Sequence, residues 1–260
     1  MLGPEVVLVT GASSGIGREL AYLFAADGSN LVLIARSEER LRTVASELEE
    51  AYGVGAQVLC YDLATPDAAQ AVYDALAADV IEVDILVNNA GFGSRGLMAE
   101  LPLETQVDMV QLNVTTVTAL TRLLLPDMIR RGRGGILNLG STASFEPGPG
   151  MAVYYATKAY VLSLTEALAV ELDGTGVTAT CLAPGPTRTR FAQEAGVEES
   201  PLFKIGQMDV GTVARVGYRG FRRGRVIVTP GLVNKFVTWS AQLSPRAVVR
   251  RVVGWLQMPD

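Results

Sequence analysis

The sequence predicts an α/β chain: a doubly wound parallel sheet held between two layers of helices, folded as a single domain. Three observations carry that expectation. Short apolar runs alternate with longer stretches of helical periodicity from near the N-terminus to about Leu182. Those runs are continuously apolar, as strands buried on both faces should be. A glycine-rich turn joins the first run to the first helical stretch.

The elements follow in order. Val6 to Thr10, Asn30 to Ala35, Gln57 to Tyr61, Ile85 to Asn88, Gly135 to Gly140 and Val177 to Leu182 read as strands. Helices are expected over Gly15 to Ala26, Glu38 to Ala51, Pro66 to Ala78, Glu104 to Arg130 and Ala152 to Leu172. Gly28 and Gly132 stand where helix-terminating glycines belong. Such alternation implies right-handed βαβ crossovers and a three-layer α/β/α sandwich. No tandem repeat or low-complexity tract interrupts it. Residues 1–260 therefore read as one Rossmann-type domain, with 186–225 as a substrate lid and 226–260 as a C-terminal strand and helices.

Composition narrows the function. Nearly half the residues are apolar, ample for a core, and the formal net charge of -5 does not suit a nucleic-acid binder. Cys60 and Cys181 are the only cysteines, so no disulfide framework is expected. They fall on the third and sixth strands, at opposite ends of a sheet ordered 3-2-1-4-5-6, and read as two inert core thiols. The sequence has no apolar run long enough to cross a membrane and no leader-like start, so a reducing, cytoplasmic setting is expected. It also has no histidine. Ser-His-Asp hydrolysis, HExxH zinc chemistry and histidine base catalysis are thereby excluded. No metal site is expected. Acid/base work must fall to Tyr, Lys, Asp, Glu or Cys.

The turn after the first strand reads Thr10-Gly11-Ala12-Ser13-Ser14-Gly15-Ile16-Gly17. Gly11 allows the tight turn, Gly15 allows close approach of a pyrophosphate, and Gly17 allows the helix to pack on the strand. With Ser13, Ser14 and Ile16 they form a candidate phosphate cradle at a helix N-terminus. A Walker-type loop is excluded, because no Gly-Lys-Ser/Thr follows. The alternative is a glycine turn that holds no ligand. At the end of the second strand, an NAD site usually presents an acid to the ribose 2′-hydroxyl. Here Ala35 cannot accept that bond, whereas Arg36 and Ser37 suit a 2′-phosphate. NADP(H) is expected rather than NAD(H). The competing reading makes Arg36 a solvated residue paired with Glu38 or Glu39.

Tyr154 and Lys158 stand four apart on an expected helix and share one face. A phenol titrates near pH 10, and a nearby ammonium should lower that value. Tyr154 then serves as general acid or base; Tyr155, with no lysine four residues on, reads as packing.

The order of Thr10–Gly17, Asp62-Leu63, Asn88-Asn89-Ala90-Gly91, Asn113, Ser141, Tyr154-x-x-x-Lys158 and Pro184-Gly185-Pro186-Thr187-Arg188-Thr189 resembles the short-chain dehydrogenase/reductase family over residues 5–190. The resemblance implies an NADP-dependent oxidoreductase acting on a carbonyl or secondary alcohol. It gives Lys158 the nicotinamide ribose and Ser141 the reacting oxygen. It gives Asn113 a water-linked proton relay. Asp62 and Leu63 would meet the adenine, and Asn89, Ala90 and Gly91 would line the cofactor. Pro184, Gly185, Thr187 and Thr189 would close over it, the two threonines on its carboxamide and phosphate. A non-redox enzyme of the same fold, such as an epimerase or lyase, and a non-catalytic NADP-binding regulator are the alternatives. Intact Ser141, Tyr154, Lys158 and Asn113 argue against the second, and the unmodified first loop against the first.

Beyond Thr189 the motifs stop. Phe191, Phe203 and Met208 are candidates for an apolar or mixed pocket suited to a ketone, a β-keto ester or a fatty carbonyl compound. No charged pair is evident that would demand a charged substrate. Residues 210–259 hold nine basic residues and no acidic one, with Trp239 and Trp255 among them. That segment suits an anionic membrane surface or an acidic partner; the alternative is a solvated face that also pairs with acidic surface on a sister subunit. A homo-oligomer is expected.

Overall fold

The computed structural model describes residues 4–188, 195–196 and 207–257. The strands are β1 (Val6–Thr10), β2 (Asn30–Ala35), β3 (Ala56–Cys60), β4 (Ile85–Asn88), β5 (Gly134–Leu139), β6 (Val177–Leu182) and β7 (Ile227–Val228). All pair in parallel, in the order β3-β2-β1-β4-β5-β6-β7. Strand order reverses beside β1, which pairs β2 on one side and β4 on the other. The crevice at the carboxyl ends of the strands opens at such a reversal.

The continuous apolar runs are explained by what covers each face. Val7, Val9, Leu31 and Leu33 point into one core, and Leu8, Val32 and Ile34 into the other. The first core is closed by α1 (Gly15–Ala26), α2 (Glu38–Tyr52) and α7 (Val210–Arg222). The second is closed by α3 (Ala68–Ala78), α5 (Val117–Arg131) and α6 (Ala152–Glu171). The remaining helices are α4 (Leu103–Val110), α8 (Leu232–Leu243) and α9 (Arg246–Gln257).

Several expectations need correction. The long helix expected over Glu104 to Arg130 is three pieces: α4, a π-helical turn at Gln111–Thr116, and α5. α3 begins at Ala68, because the Thr65 hydroxyl donates to the Asp62 carbonyl and does not cap a helix starting at Pro66. β3 and β5 each lie one residue earlier than expected. Cys60 is exposed at the end of the edge strand β3; of the two cysteines, only Cys181 is a core thiol.

The lid expectation for 186–225 is also narrowed. Val210–Arg222 is a layer of the sandwich, with Val213 and Ala214 fully buried. Its glycines permit that approach. A Cβ on Gly217 would stand 2.3 Å from the Leu182 side chain, and one on Gly220 2.3 Å from that of Val228. Much of the rest of the expected lid lies outside the described residues. Among the described residues, no helix is long and apolar enough to cross a membrane.

Candidate active site

One cleft of about 610 Å³ runs across the carboxyl ends of the strands. It collects the sequence-predicted residues from seven separate segments. Gly11, Ser13, Ser14, Gly15 and Ile16 line it, as do Arg36 and Ser37, Asp62 and Leu63, Asn89, Ala90 and Gly91, Ser141, Tyr154 and Lys158, and Pro184, Gly185 and Thr187. Gly17 and Asn113 stand behind its wall. Thr189 lies outside the described residues.

The glycine turn is stitched to the loop after β4. Gly11 and Gly15 adopt left-handed φ angles of 67° and 59°. Both are conformations that glycine reaches without a steric penalty. Gly17 serves close packing: a Cβ there would meet the Asn89 amide at 2.3 Å and the Gly11 carbonyl at 2.6 Å. Asn89 donates through Nδ2 to the carbonyls of Thr10 (2.8 Å) and Gly11 (3.2 Å). The Thr10 hydroxyl accepts from the amides of Asn89 and Ala90, both at 2.9 Å, and donates to the Val87 carbonyl at 3.2 Å. Asn89 thus shapes the cradle through its side chain as well as lining it. Ser14 is the N-cap of α1 and makes no side-chain cap bond. The helix N-terminus keeps unpaired N–H groups and a positive dipole end at the cleft.

At the second strand's end Arg36 is exposed, as a solvated residue would be, but it is not paired with Glu38 or Glu39. Glu38 pairs with Arg42 at 2.6 Å, and Arg36 has no ion pair among the described residues. Arg40, which sequence reasoning did not single out, lines the cleft beside Arg36. Asp62 accepts from the Ala64 amide at 3.0 Å, a turn that fixes its carboxylate at the cleft wall. The Leu63 carbonyl is held by the Thr116 hydroxyl at 2.7 Å. The glycine cradle and the two serines at the helix N-terminus together fit the phosphates of a dinucleotide.

The chemical end is built around Tyr154 and Lys158, both buried on α6. The Ser141 hydroxyl caps the 3₁₀ turn Thr142–Phe145, accepting from the Ala143 amide at 3.1 Å, and hydrogen-bonds Tyr154. Asn113 falls in the π turn, a distortion that often marks functional sites. Its carboxamide binds both backbone groups of Phe92, at 3.2 and 2.9 Å, and the Thr157 hydroxyl at 3.1 Å. Gly91 leaves room between these groups: a Cβ there would meet Asn113 Oδ1 at 2.9 Å and Lys158 Nζ at 3.5 Å.

The electrostatics correct one expectation. Lys158 was expected to lower the Tyr154 pKa. Instead, burial pushes that phenol up to about 12, and only the Ser141 contact opposes it. The reason is geometric. Lys158 Nζ donates to the Leu139 carbonyl at 2.7 Å and stands 5.9 Å from the Tyr154 ring centre. Burial also brings the ammonium of Lys158 down to about 8. Tyr155 packs, as expected: its hydroxyl accepts from Gln257, and its ring meets that of Tyr154 edge-on.

The far end of the cleft is mixed. Phe92, Met151 and Val237 line it, but so do Arg95, Asp108 and Glu146. Those charges come from three distant segments, which is why none was evident as a pair. Arg95 donates to the Gln257 carbonyl at 3.2 Å. Glu146 has no hydrogen bond or ion pair among the described residues, and burial raises its carboxyl to about 7. Met208 is not a lining residue; it pairs with Thr187 in an isolated bridge and packs against the core under Gly231. Phe191 and Phe203 lie outside the described residues. Asn234 on α8, whose amide fills the space that a Gly185 side chain would need, was also missed. No local sequence signal marks it.

Comparisons with known proteins identify the family. A family model described as short chain dehydrogenase matches residues 5–200. A putative ketoacyl reductase of Streptomyces coelicolor is 38% identical over 203 residues, covering 77% of each chain. A short-chain dehydrogenase from Sphingobium yanoikuyae, solved in complex with NADPH, is 36% identical, with a TM-score of 0.81 over 88% of both chains. A short chain dehydrogenase/reductase from Burkholderia phymatum, solved in complex with NAD, is 27% identical, with a TM-score of 0.79 over 100% of this chain and 98% of that one.

Proposed function

The chain belongs to the short-chain dehydrogenase family, and from that premise we propose that it is an NADP(H)-dependent reductase of carbonyl compounds with Tyr154 as proton donor. One observation carries the reading. A buried phenol sits against a serine hydroxyl in the same cleft as a glycine turn and a free arginine. Tyr154, raised to about 12, holds its proton at neutral pH. That state suits donation to a carbonyl oxygen more than abstraction from an alcohol.

The site residues divide the work. Ser141 and Tyr154 together receive the carbonyl oxygen, and the serine hydroxyl steadies charge as it builds there. A dinucleotide held through its phosphates by the glycine cradle would supply the hydride. Tyr154 Oη releases its proton to the oxygen, so the carbonyl gains hydride and proton and becomes an alcohol. Lys158, still largely protonated at pH 7, keeps a buried positive charge at the chemical end of the cleft. Asn113 fixes the Phe92 loop on which Gly91 leaves room for that lysine. Arg36 and Arg40 supply the preference for a 2′-phosphate; the NADPH-bound relative supports this, while the NAD-bound one has diverged further from this chain.

The substrate class is a ketone, including 3-oxoacyl compounds, supported by the mixed cleft and by the ketoacyl reductase relative. The reading includes a homo-oligomer, supported by the exposed row Leu103, Val107 and Val110 on α4. It includes a reducing, cytoplasmic setting, supported by two free thiols. Loss of NADPH absorbance against a carbonyl panel tests it, with Tyr154→Phe as control. Turnover that falls about a thousandfold in the variant supports the reading. No turnover with any carbonyl, or an unaffected variant, would overturn it.

A further inference from the structure

The two C-terminal helices carry a surface that this chemistry does not use. α8 is built inside out. It buries Asn234, Thr238 and Ala241, yet exposes Leu232 (84%), Phe236, Trp239 (61%) and Leu243. Those four recur at intervals of four, three and four residues, one stripe of a helix. α9 is apolar on both faces. Val249 and Val253 face inward, while Val248, Val252 and Trp255 (84% exposed) form a second stripe. A surface helix of a globular protein keeps its outer face polar, and large exposed apolar areas mark contact surfaces. Only Ser244 and Pro245 separate the two helices.

Charge identifies the occupant. Lys235, Arg246, Arg250 and Arg251 are exposed on these helices and have no ion pair among the described residues. Residues 210–259 contain no Asp or Glu, although the whole chain is acidic. A second copy meeting this face across a two-fold axis would set cations against cations. A bilayer with anionic headgroups satisfies both halves of the surface. Tryptophan rings favour the headgroup level, apolar stripes sink to the acyl boundary, and basic side chains meet the lipid charge.

We propose that α8 and α9 form an interfacial surface that seats this protein on an anionic lipid bilayer. The cleft adjoins it, since Asn234 and Val237 come from α8 and Gln257 from α9. The proposal stands whether or not the reductase reading does, because its test needs no turnover.

Trp239 and Trp255 are the chain's only tryptophans, so emission excited selectively at tryptophan reports this surface alone. The full chain is titrated with phosphatidylcholine vesicles with and without phosphatidylglycerol, and flotation is followed in parallel. The expected result is a blue shift, quenching by brominated acyl chains and co-flotation with the anionic vesicles only, weakened by salt. Arg250→Gln with Arg251→Gln should weaken that binding about thirtyfold. Emission and flotation unchanged by anionic vesicles at low salt would overturn the proposal. So would emission already shifted without lipid and reverting as a sedimenting oligomer dissociates, which would identify a second copy as the occupant. Binding by the double variant as tight as wild type would overturn it as well.

Discussion

The cofactor half of the molecule and its two C-terminal helices spend the same residue types in opposite ways. Around β1 and β4, apolar side chains are buried and the polar ones that go inside are paired. Asn88 donates to Asn138 at 2.8 Å, and Asn138 to Thr165 at 2.9 Å. On α8, small and polar residues are buried and the large apolar ones stand in water. Burying apolar area stabilises a fold by roughly 25 cal/mol per Å². A helix that forgoes this on four large side chains is shaped by something outside its own fold. The first region is finished by a small ligand; the second presents a surface.

Substitutions break that comparison in decreasing steps. Tyr154→Phe removes the transferable proton and should lower kcat/KM about a thousandfold at unchanged circular dichroism. Arg36→Asp should shift the ratio of NADPH to NADH efficiency by roughly ten- to a hundredfold, the worth of a charge-assisted hydrogen bond. An unchanged ratio would remove Arg36 from the ribose site. Gly17→Ala forces a methyl against Asn89 and should cost about 1–3 kcal/mol in urea unfolding, with weaker NADPH binding. The smallest effect is a titration. Glu146 is neutral below about pH 7 and charged above it. Covering a charged carboxylate with an apolar ligand costs desolvation, so KM for a neutral ketone should rise as pH passes 7. Glu146→Gln should flatten that rise. Trp239→Ser and Trp255→Ser should leave all four measurements as they are, which sharpens the contrast between the regions.

The frame of the fold was legible because its signals are local. Continuous apolar runs need cover on both faces, and Gly11 to Gly17 need a strand before and a helix after. Tyr154 and Lys158 were legible from a spacing of four. Their electrostatics were not, because spacing reports adjacency and not burial. The pKa of Tyr154 is set by what surrounds it, and Lys158 Nζ is drawn to Leu139. Glu146, Arg95 and Asn234 come to the cleft from segments far apart in the chain, and no local pattern announces such a meeting. α7 falls inside the span expected as a lid because that span follows the last cofactor motif; its glycines admit the side chains of Leu182 and Val228. The π turn at Asn113 has no composition of its own.

The stitching between Thr10 and Asn89 has a mechanical consequence. Five hydrogen bonds bolt the phosphate turn to the strand and loop at β4, and the Asn113 carboxamide clamps the continuation of that loop at Phe92. The wall from Gly11 to Phe92 therefore behaves as one stiff plate. Pulling it open would break several bonds at once.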